Sequence, residues 1–123
     1  MKIVSTKNAP EAIGPYSQAM IFENLIFTSG QIALKPNGEF LDENIEEQTK
    51  QVLENLSQVL SEAKSSLQKV LKTTIFLSDI NDFTKVNEIY GSFFGSHKPA
   101  RSTVAVKTLP KNAKVEIEAI AII

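Results

Sequence analysis

The chain has 123 residues, of which 42% are hydrophobic and 22% charged, and its formal net charge is −1 at pH 7. These values are typical of a globular protein, so we expect a single domain over residues 1–123. With no cysteine and one histidine, the chain cannot form a disulfide, a thiolate nucleophile or a multi-histidine metal site, and we expect no metal. The balanced charge also argues against a nucleic-acid partner.

Targeting and membrane-spanning segments are not expected. No apolar stretch of signal-peptide length precedes the polar segment Lys7–Pro10. The longest apolar run, Ala119–Ile123, is far shorter than the roughly 20 residues that a spanning helix needs. We therefore expect a cytoplasmic protein with no membrane role.

The first part of the chain predicts three strands. A weak strand is expected at Ile3–Ser5. Two β-favouring runs, Ser17–Phe22 and Leu25–Ser29, are then separated by only two residues, Glu23 and Asn24. This spacing predicts a tight hairpin, although the ideal Asn-Gly turn is absent.

A long helix is predicted after the turn signal at Pro36–Gly38. Asn44 stands three residues before Glu47, as in a capping box. The apolar residues that follow recur at helical spacing and predict one buried face: Ile45, Val52, Leu53, Leu56, Val59, Leu60 and Ala63.

The second half alternates between the two kinds of pattern. In order, it predicts a strand at Val70–Leu77, a helix with Phe83, Val86, Tyr90, Phe93 and Phe94 on one face, a strand at Thr103–Val106, a loop at Leu109–Asn112 and a last strand at Lys114–Ile123. The resulting order is β-β-β-α-β-α-β-β. We expect an α+β fold in which two helices cover one face of a single sheet.

The last strand also bears on assembly. Val115, Ile117 and Ala119 point to one face, whereas Ile120 and Ile122 point to the other. Two helices can cover only one face of the sheet. A second copy of the chain is the simplest cover for the other face, so we expect a homo-oligomer with sites between subunits.

Few residues of this chain could carry chemistry. Arg101 has the planar fork that binds a carboxylate, although a lone arginine after Pro99 is more often a solvated surface residue. Glu116 and Glu118 share one face of a strand, where they repel each other unless they are solvated or paired with a cation such as Arg101. The ordinary alternative to a catalytic role is that Glu116 and Glu118 lie at a solvated strand end.

Five further positions have equally ordinary explanations. Asn87 lies on an aromatic helical face, where a buried amide with satisfied hydrogen bonds is common. Tyr16 could be a packing residue, and the Ser29–Gly30 pair is weak evidence for a site by itself. His97 lies in a turn and is expected to be solvated.

Taken together, several motifs resemble the Rid family of imine deaminases in order and spacing, from about residue 8 to the end of the chain. They are Asn8-Ala9-Pro10, Ile13-Gly14-Pro15-Tyr16-Ser17-Gln18-Ala19, Phe27-Thr28-Ser29-Gly30-Gln31, Lys72-Thr73-Thr74, Pro99-Ala100-Arg101-Ser102 and Val115-Glu116-Ile117-Glu118-Ala119. Several motifs in the same order are far more specific than any one of them.

The resemblance implies a chorismate-mutase-like fold and a homotrimer with active sites in clefts between subunits. It also implies hydrolysis of 2-imino acids, such as 2-iminobutanoate and 2-iminopropanoate, to 2-oxo acids and ammonia, with no cofactor. By position, Arg101 is the residue that holds the substrate carboxylate and Glu116 the one that activates water. The implied pocket lining is Tyr16, Ser29, Gly30, Asn87 and Thr103.

Two positions depart from the family pattern. Thr103 stands where many members have cysteine, which removes thiol chemistry but leaves hydrolysis intact. Lys64 stands where a glycine commonly ends the first helix, so we expect a strained left-handed residue there. The resemblance leaves two alternatives open: a non-catalytic regulator that binds small molecules, and, ranked third, a translation inhibitor with ribonuclease activity.

Overall fold

Six strands form one mixed sheet, and two helices cover one of its faces. The computed structural model describes all of residues 1–123. Its elements are β1 (Lys2–Val4), β2 (Ala19–Phe22), β3 (Leu25–Thr28), α1 (Ile45–Glu62), β4 (Val70–Leu77), α2 (Phe83–Phe94), β5 (Ala100–Ala105) and β6 (Val115–Ile122), with 3₁₀ turns at Leu67–Lys69, Ile80–Asp82 and Pro110–Asn112. The predicted α+β class and element order are confirmed. Neither helix is long and apolar enough to cross a membrane.

The strand order in the sheet is β1-β2-β3-β6-β4-β5, so the last strand of the chain lies inside the sheet. All neighbouring strands are antiparallel except β4 and β5, which are parallel. The predicted start of β5 at Thr103 is wrong, because the strand begins at Ala100, where it pairs with Lys72 of β4. This pairing joins distant segments, so local propensity did not reveal it. The other strand ends lie within about two residues of their predicted positions.

Helix α1 begins and ends with specific caps. The Asn44 side chain accepts a hydrogen bond from the backbone N–H of Glu47 at 2.9 Å, which confirms the predicted cap, while the Glu47 side chain pairs with Lys50. At the other end, Lys64 adopts the expected left-handed conformation, with φ of 62°. The N–H groups of Lys64 and Ser65 donate to the carbonyls of Ser61 and Leu60, which is the Schellman arrangement that favours glycine at position 64.

The two faces of β6 differ in what covers them. Val115, Ile117, Ala119 and Ala121 lie under the helices and are 0–3% exposed. The other face has no cover within the chain, and it carries a group of apolar side chains from four strands: Ile3, Met20, Phe22, Leu25, Phe27, Ile120 and Ile122. Apolar side chains therefore emerge from both faces of the sheet, as the last strand predicts.

His97 is not a solvated turn residue, so that prediction is wrong. Its side chain is half-buried, and Nε2 lies 2.7 Å from the carbonyl oxygen of Val70, at the start of β4. The imidazole thus ties the turn after α2 to the neighbouring strand. This contact joins residues far apart in the chain and leaves no local sequence signal.

Candidate functional site

Glu116 lies on the open face of the sheet, directly against the backbone of Gly30. A Cβ atom at position 30 would lie 2.9 Å from Cδ and 3.0 Å from Oε2 of Glu116, so any side chain there would displace the Glu116 carboxyl group. The segment is held there by Gln31 and Ile117, whose backbones exchange two hydrogen bonds of 2.9 and 3.1 Å. The missing side chain at Gly30 therefore leaves the space that the Glu116 carboxyl group occupies.

Burial raises the pKa of the Glu116 carboxyl above its ordinary value, and the negative charge of Glu118 raises it further. The two carboxylates lie two residues apart on the same strand face, as the sequence predicts. A carboxyl group whose pKa is raised exchanges a proton more readily near neutral pH, which suits general acid–base catalysis.

A cleft of about 310 Å³ opens beside Glu116 and Gly30. Tyr16 lines it and is 54% exposed. Ser29 does not line this cleft but an adjoining hollow, which it shares with Tyr16. The Ser29 hydroxyl donates to the carbonyl of Ser17, so it also holds the start of the hairpin. Together these residues form what we call the glutamate half-site: Tyr16, Ser29, Gly30 and Glu116.

Arg101 lies on the opposite side of the sheet. Its guanidinium carbon is 4.9 Å from the ring centre of Tyr90 and 5.4 Å from that of Phe83, both on α2. These distances are those of a cation–π contact. The one ion pair in the chain joins Lys50 and Glu47, so no carboxylate neutralises Arg101. Its donors are therefore free to bind an anion.

Thr103 and Asn87 flank Arg101 and complete what we call the arginine half-site. Thr103 follows two residues later on β5 and lines a hollow with Arg101. Its hydroxyl oxygen is the one buried side-chain polar atom in the chain without a hydrogen-bond partner. Asn87 is half-buried on α2 and lines a cleft of about 480 Å³ with Arg101. A buried hydroxyl with no partner next to an unpaired guanidinium is an arrangement that a polar ligand would satisfy.

Within one chain the two half-sites face away from each other. Arg101 pairs with Thr73, which is fully buried beneath the helices, whereas Glu116 pairs with Phe76 on the other face of β4. Paired residues of neighbouring strands share a face, so Arg101 and Glu116 lie on opposite faces of the sheet. The structure thus brings the predicted residues together in two groups rather than one.

The contacts of Tyr90 and Phe83 with Arg101 were not predicted, because their spacing indicates only an apolar helical face. Lys111 was not predicted as a site residue either; it lines the cleft of the glutamate half-site and has a left-handed backbone with φ of 56°. Only the loop Leu109–Asn112 marked that position. No group of three or more His, Asp or Glu side chains lies together as metal ligands would.

Comparisons with known proteins show which family the chain resembles over nearly its whole length. A family model described as Endoribonuclease L-PSP matches residues 6–123. A Homo sapiens protein named 2-iminobutanoate/2-iminopropanoate deaminase is 46% identical over 122 residues, covering 98% of this chain and 89% of that protein. A Lactococcus lactis protein named as a candidate regulator, AldR, is 52% identical, covering 98% of this chain and 97% of that protein. The crystal structure of E. coli TdcF with bound serine is 42% identical and has a TM-score of 0.95, covering 100% of this chain and 99% of that chain.

Proposed function

Since the chain belongs to the Endoribonuclease L-PSP family, which confirms the resemblance drawn from its motifs, we propose that it hydrolyses reactive 2-imino acids and their enamine tautomers. The substrates would be 2-iminobutanoate and 2-iminopropanoate, and the products a 2-oxo acid and ammonia. The human relative carries the name of this activity. The relative crystallised with serine supports a site that accepts a small amino-acid-like carboxylate.

The observation that carries the proposal is the unpaired guanidinium of Arg101. An arginine with no carboxylate partner, held over two aromatic rings, keeps its planar fork of donors for a ligand. Two parallel hydrogen bonds to a carboxylate would fix a 2-imino acid in one orientation. The Thr103 hydroxyl and the Asn87 amide would add polar contacts at the same end of the substrate.

Glu116 would act on the water. As a carboxylate it orients a water molecule and takes its proton while the oxygen attacks the imine carbon. On the protonated imine this gives a carbinolamine, to whose nitrogen Glu116, now a carboxylic acid, returns the proton. The C–N bond then breaks as the hydroxyl oxygen forms the carbonyl and its proton passes to Glu116, which releases the 2-oxo acid and ammonia; that proton finally leaves with ammonia as ammonium. The raised pKa of Glu116 suits both directions of this transfer. Imine hydrolysis involves no net oxidation, so positioning and proton transfer are all that the protein must supply.

This mechanism needs two copies of the chain. Arg101 and Glu116 lie on opposite faces of one sheet, so one substrate would reach both only where two subunits meet. The uncovered apolar face, which includes Phe27 at 44% exposed, gives the subunits a surface to bury against one another. We propose a homotrimer with a site in each cleft between subunits. Light scattering that gave a stable 13.6 kDa monomer at micromolar concentration would contradict it.

A cytoplasmic location is part of the proposal. The chain has no cysteine, so nothing in its composition suits a compartment in which disulfides form.

A coupled assay tests the activity. A pyridoxal-phosphate threonine dehydratase generates 2-iminobutanoate in the cuvette, and the release of ammonia and 2-oxobutanoate is followed with and without this protein. Faster release with the wild type, and none above the uncatalysed rate with Arg101→Ala, is the expected result. Lys98→Ala is the matched control for loss of a cation, because Lys98 is exposed and lines the same cleft. Its effect should be much smaller than that of Arg101→Ala.

A regulator that binds the ligand without turning it over is the second candidate, favoured by the relative named as a candidate regulator. It would bind 2-oxobutanoate but leave the rate of imine hydrolysis unchanged. Ribonuclease activity ranks third, although the family description names it. A net charge of −1 does not favour binding of a polyanion, and the one histidine contacts the carbonyl of Val70.

A further inference from the structure

We propose that Tyr90 and Thr73 are positioning residues that hold the Arg101 guanidinium ready for the substrate carboxylate, although neither touches the substrate. The inference rests on the proposed function, since it explains why the guanidinium that would bind the substrate is already oriented. The motif resemblance assigns no such role to Tyr90 or Thr73.

The arrangement begins in the sheet. Thr73 of β4 is fully buried and lies directly beside Arg101 of β5 in the parallel pair. Its hydroxyl lies 2.7 Å from the hydroxyl of Tyr90, and this is the one side-chain hydrogen bond that Thr73 makes. The bond joins the strand next to Arg101 to the helix above it. The distance between ring and strand is therefore set by a directional contact rather than by packing alone.

The ring of Tyr90 is fixed from two further sides. It is 7% exposed, and Phe94 stacks on it with ring centres 4.4 Å apart. On its free side the guanidinium of Arg101 lies 4.9 Å from the ring centre, and Phe83 supplies a second ring at 5.4 Å. Arg101 itself is exposed, so without these rings its long side chain would sample many rotamers.

The two aromatic rings orient the Arg101 guanidinium without neutralising its charge. A carboxylate partner would also hold the side chain, but it would compete with the substrate for the same donors. An aromatic face attracts the cation from above the plane and leaves the N–H groups at the guanidinium edge free. Burial raises the pKa of the Tyr90 hydroxyl, so Tyr90 stays neutral and does not form an ion pair with Arg101.

The test separates the effect of the Tyr90 ring from the effect of its hydroxyl group and from a general loss of stability. Tyr90→Leu removes the ring and should raise both KM for the imine and Kd for 2-oxobutanoate about fivefold, the scale of an exposed cation–π contact, with kcat nearly unchanged. Phe83→Leu, at a half-buried site, should do the same to a smaller degree. Tyr90→Phe and Thr73→Val should each raise KM about twofold, and the double variant no further, because both remove one hydrogen bond.

Val86→Ala is the structural control. Val86 is fully buried in the core on the same helix and carries no aromatic ring, so its truncation should lower thermal stability without moving KM or Kd. The inference is overturned if Tyr90→Leu and Phe83→Leu keep wild-type KM and Kd, or if Val86→Ala raises them equally. An Arg101→Ala variant with wild-type KM would instead overturn the proposed function.

Discussion

Glu116 and Gly30 meet so closely that the carboxyl group of one occupies the space that a side chain on the other would need. A Cβ at position 30 would lie 2.9 Å from Cδ of Glu116. Gly30 has no left-handed φ, so the requirement for glycine comes from the neighbouring carboxylate rather than from the backbone. Two residues from distant motifs thus depend on each other through one contact.

Gly30→Ala should therefore impair catalysis more than folding. The new methyl group would push the Glu116 carboxylate out of its place, and we expect imine hydrolysis to fall at least tenfold, because small misplacements of a reacting group are costly. The protein should still unfold cooperatively, since the backbone at position 30 tolerates alanine. Hydrolysis at the wild-type rate would show that the position of Glu116 does not matter.

Substitutions of Arg101 and of Glu116 should affect ligand binding and hydrolysis differently. Arg101→Ala removes the proposed contact with the substrate carboxylate, so both 2-oxobutanoate binding, measured by calorimetry, and turnover should collapse. Glu116→Gln keeps the shape but cannot take a proton, so binding should survive while hydrolysis falls about 10²-fold. If Arg101→Ala binds and turns over normally in a trimeric protein, the deaminase assignment is wrong.

Thr103→Val tests the unpartnered hydroxyl. Removing a buried polar atom that has no hydrogen bond should leave the unliganded protein as stable as the wild type or more stable, by up to about 1 kcal/mol. The affinity for 2-oxobutanoate should decrease, because the ligand would lose a partner. Thr49→Val is the control: that hydroxyl donates to the Ile45 carbonyl at 2.7 Å and lines neither cleft. Unchanged affinity in Thr103→Val would remove Thr103 from the site.

Glu118→Gln should shift the pH dependence of hydrolysis. In the proposed mechanism the carboxylate form of Glu116 takes the proton from water, so activity should be lost as pH falls through the raised pKa of Glu116. Removing the Glu118 charge removes one cause of that shift, so the pKa falls and the acid limb of kcat moves to lower pH. Glu54→Gln on α1 should leave the limb in place. If Glu118→Gln abolishes turnover, Glu118 rather than Glu116 is the base.

Lys64→Gly should stabilise the fold by about 0.5–1 kcal/mol. Lys64 has φ of 62° in the helix-end motif, a conformation that costs a residue with a Cβ and costs glycine little. The reverse holds for Lys50→Gly inside the same helix, which should destabilise by about 1 kcal/mol. Urea denaturation of both variants checks the sign, and a lower midpoint for Lys64→Gly would contradict the assignment of strain to this residue.

The helices, the strands and the chemical groups of the site could be predicted from patterns along the chain. The Asn44 cap, the apolar stripe of α1 and the β-favouring runs depend on residues close together in the chain, so their structure followed from local patterns. The left-handed residue at Lys64 was also predicted, from the family pattern at that position. Arg101, Glu116 and Thr103 were named as site residues from motifs in the same order as those of the family.

Which of these groups share a face of the sheet could not be predicted from such patterns, because it depends on how distant strands pair. Alternation along a strand is local, but which face a residue joins depends on its register with neighbouring strands, and these come from distant parts of the chain. Because β5 joins the edge of the sheet in parallel beside β4, Arg101 lies on the helix side and Glu116 on the open side. The roles of Tyr90, Gly30 and His97 arise in the same way, from contacts between segments that no local pattern connects.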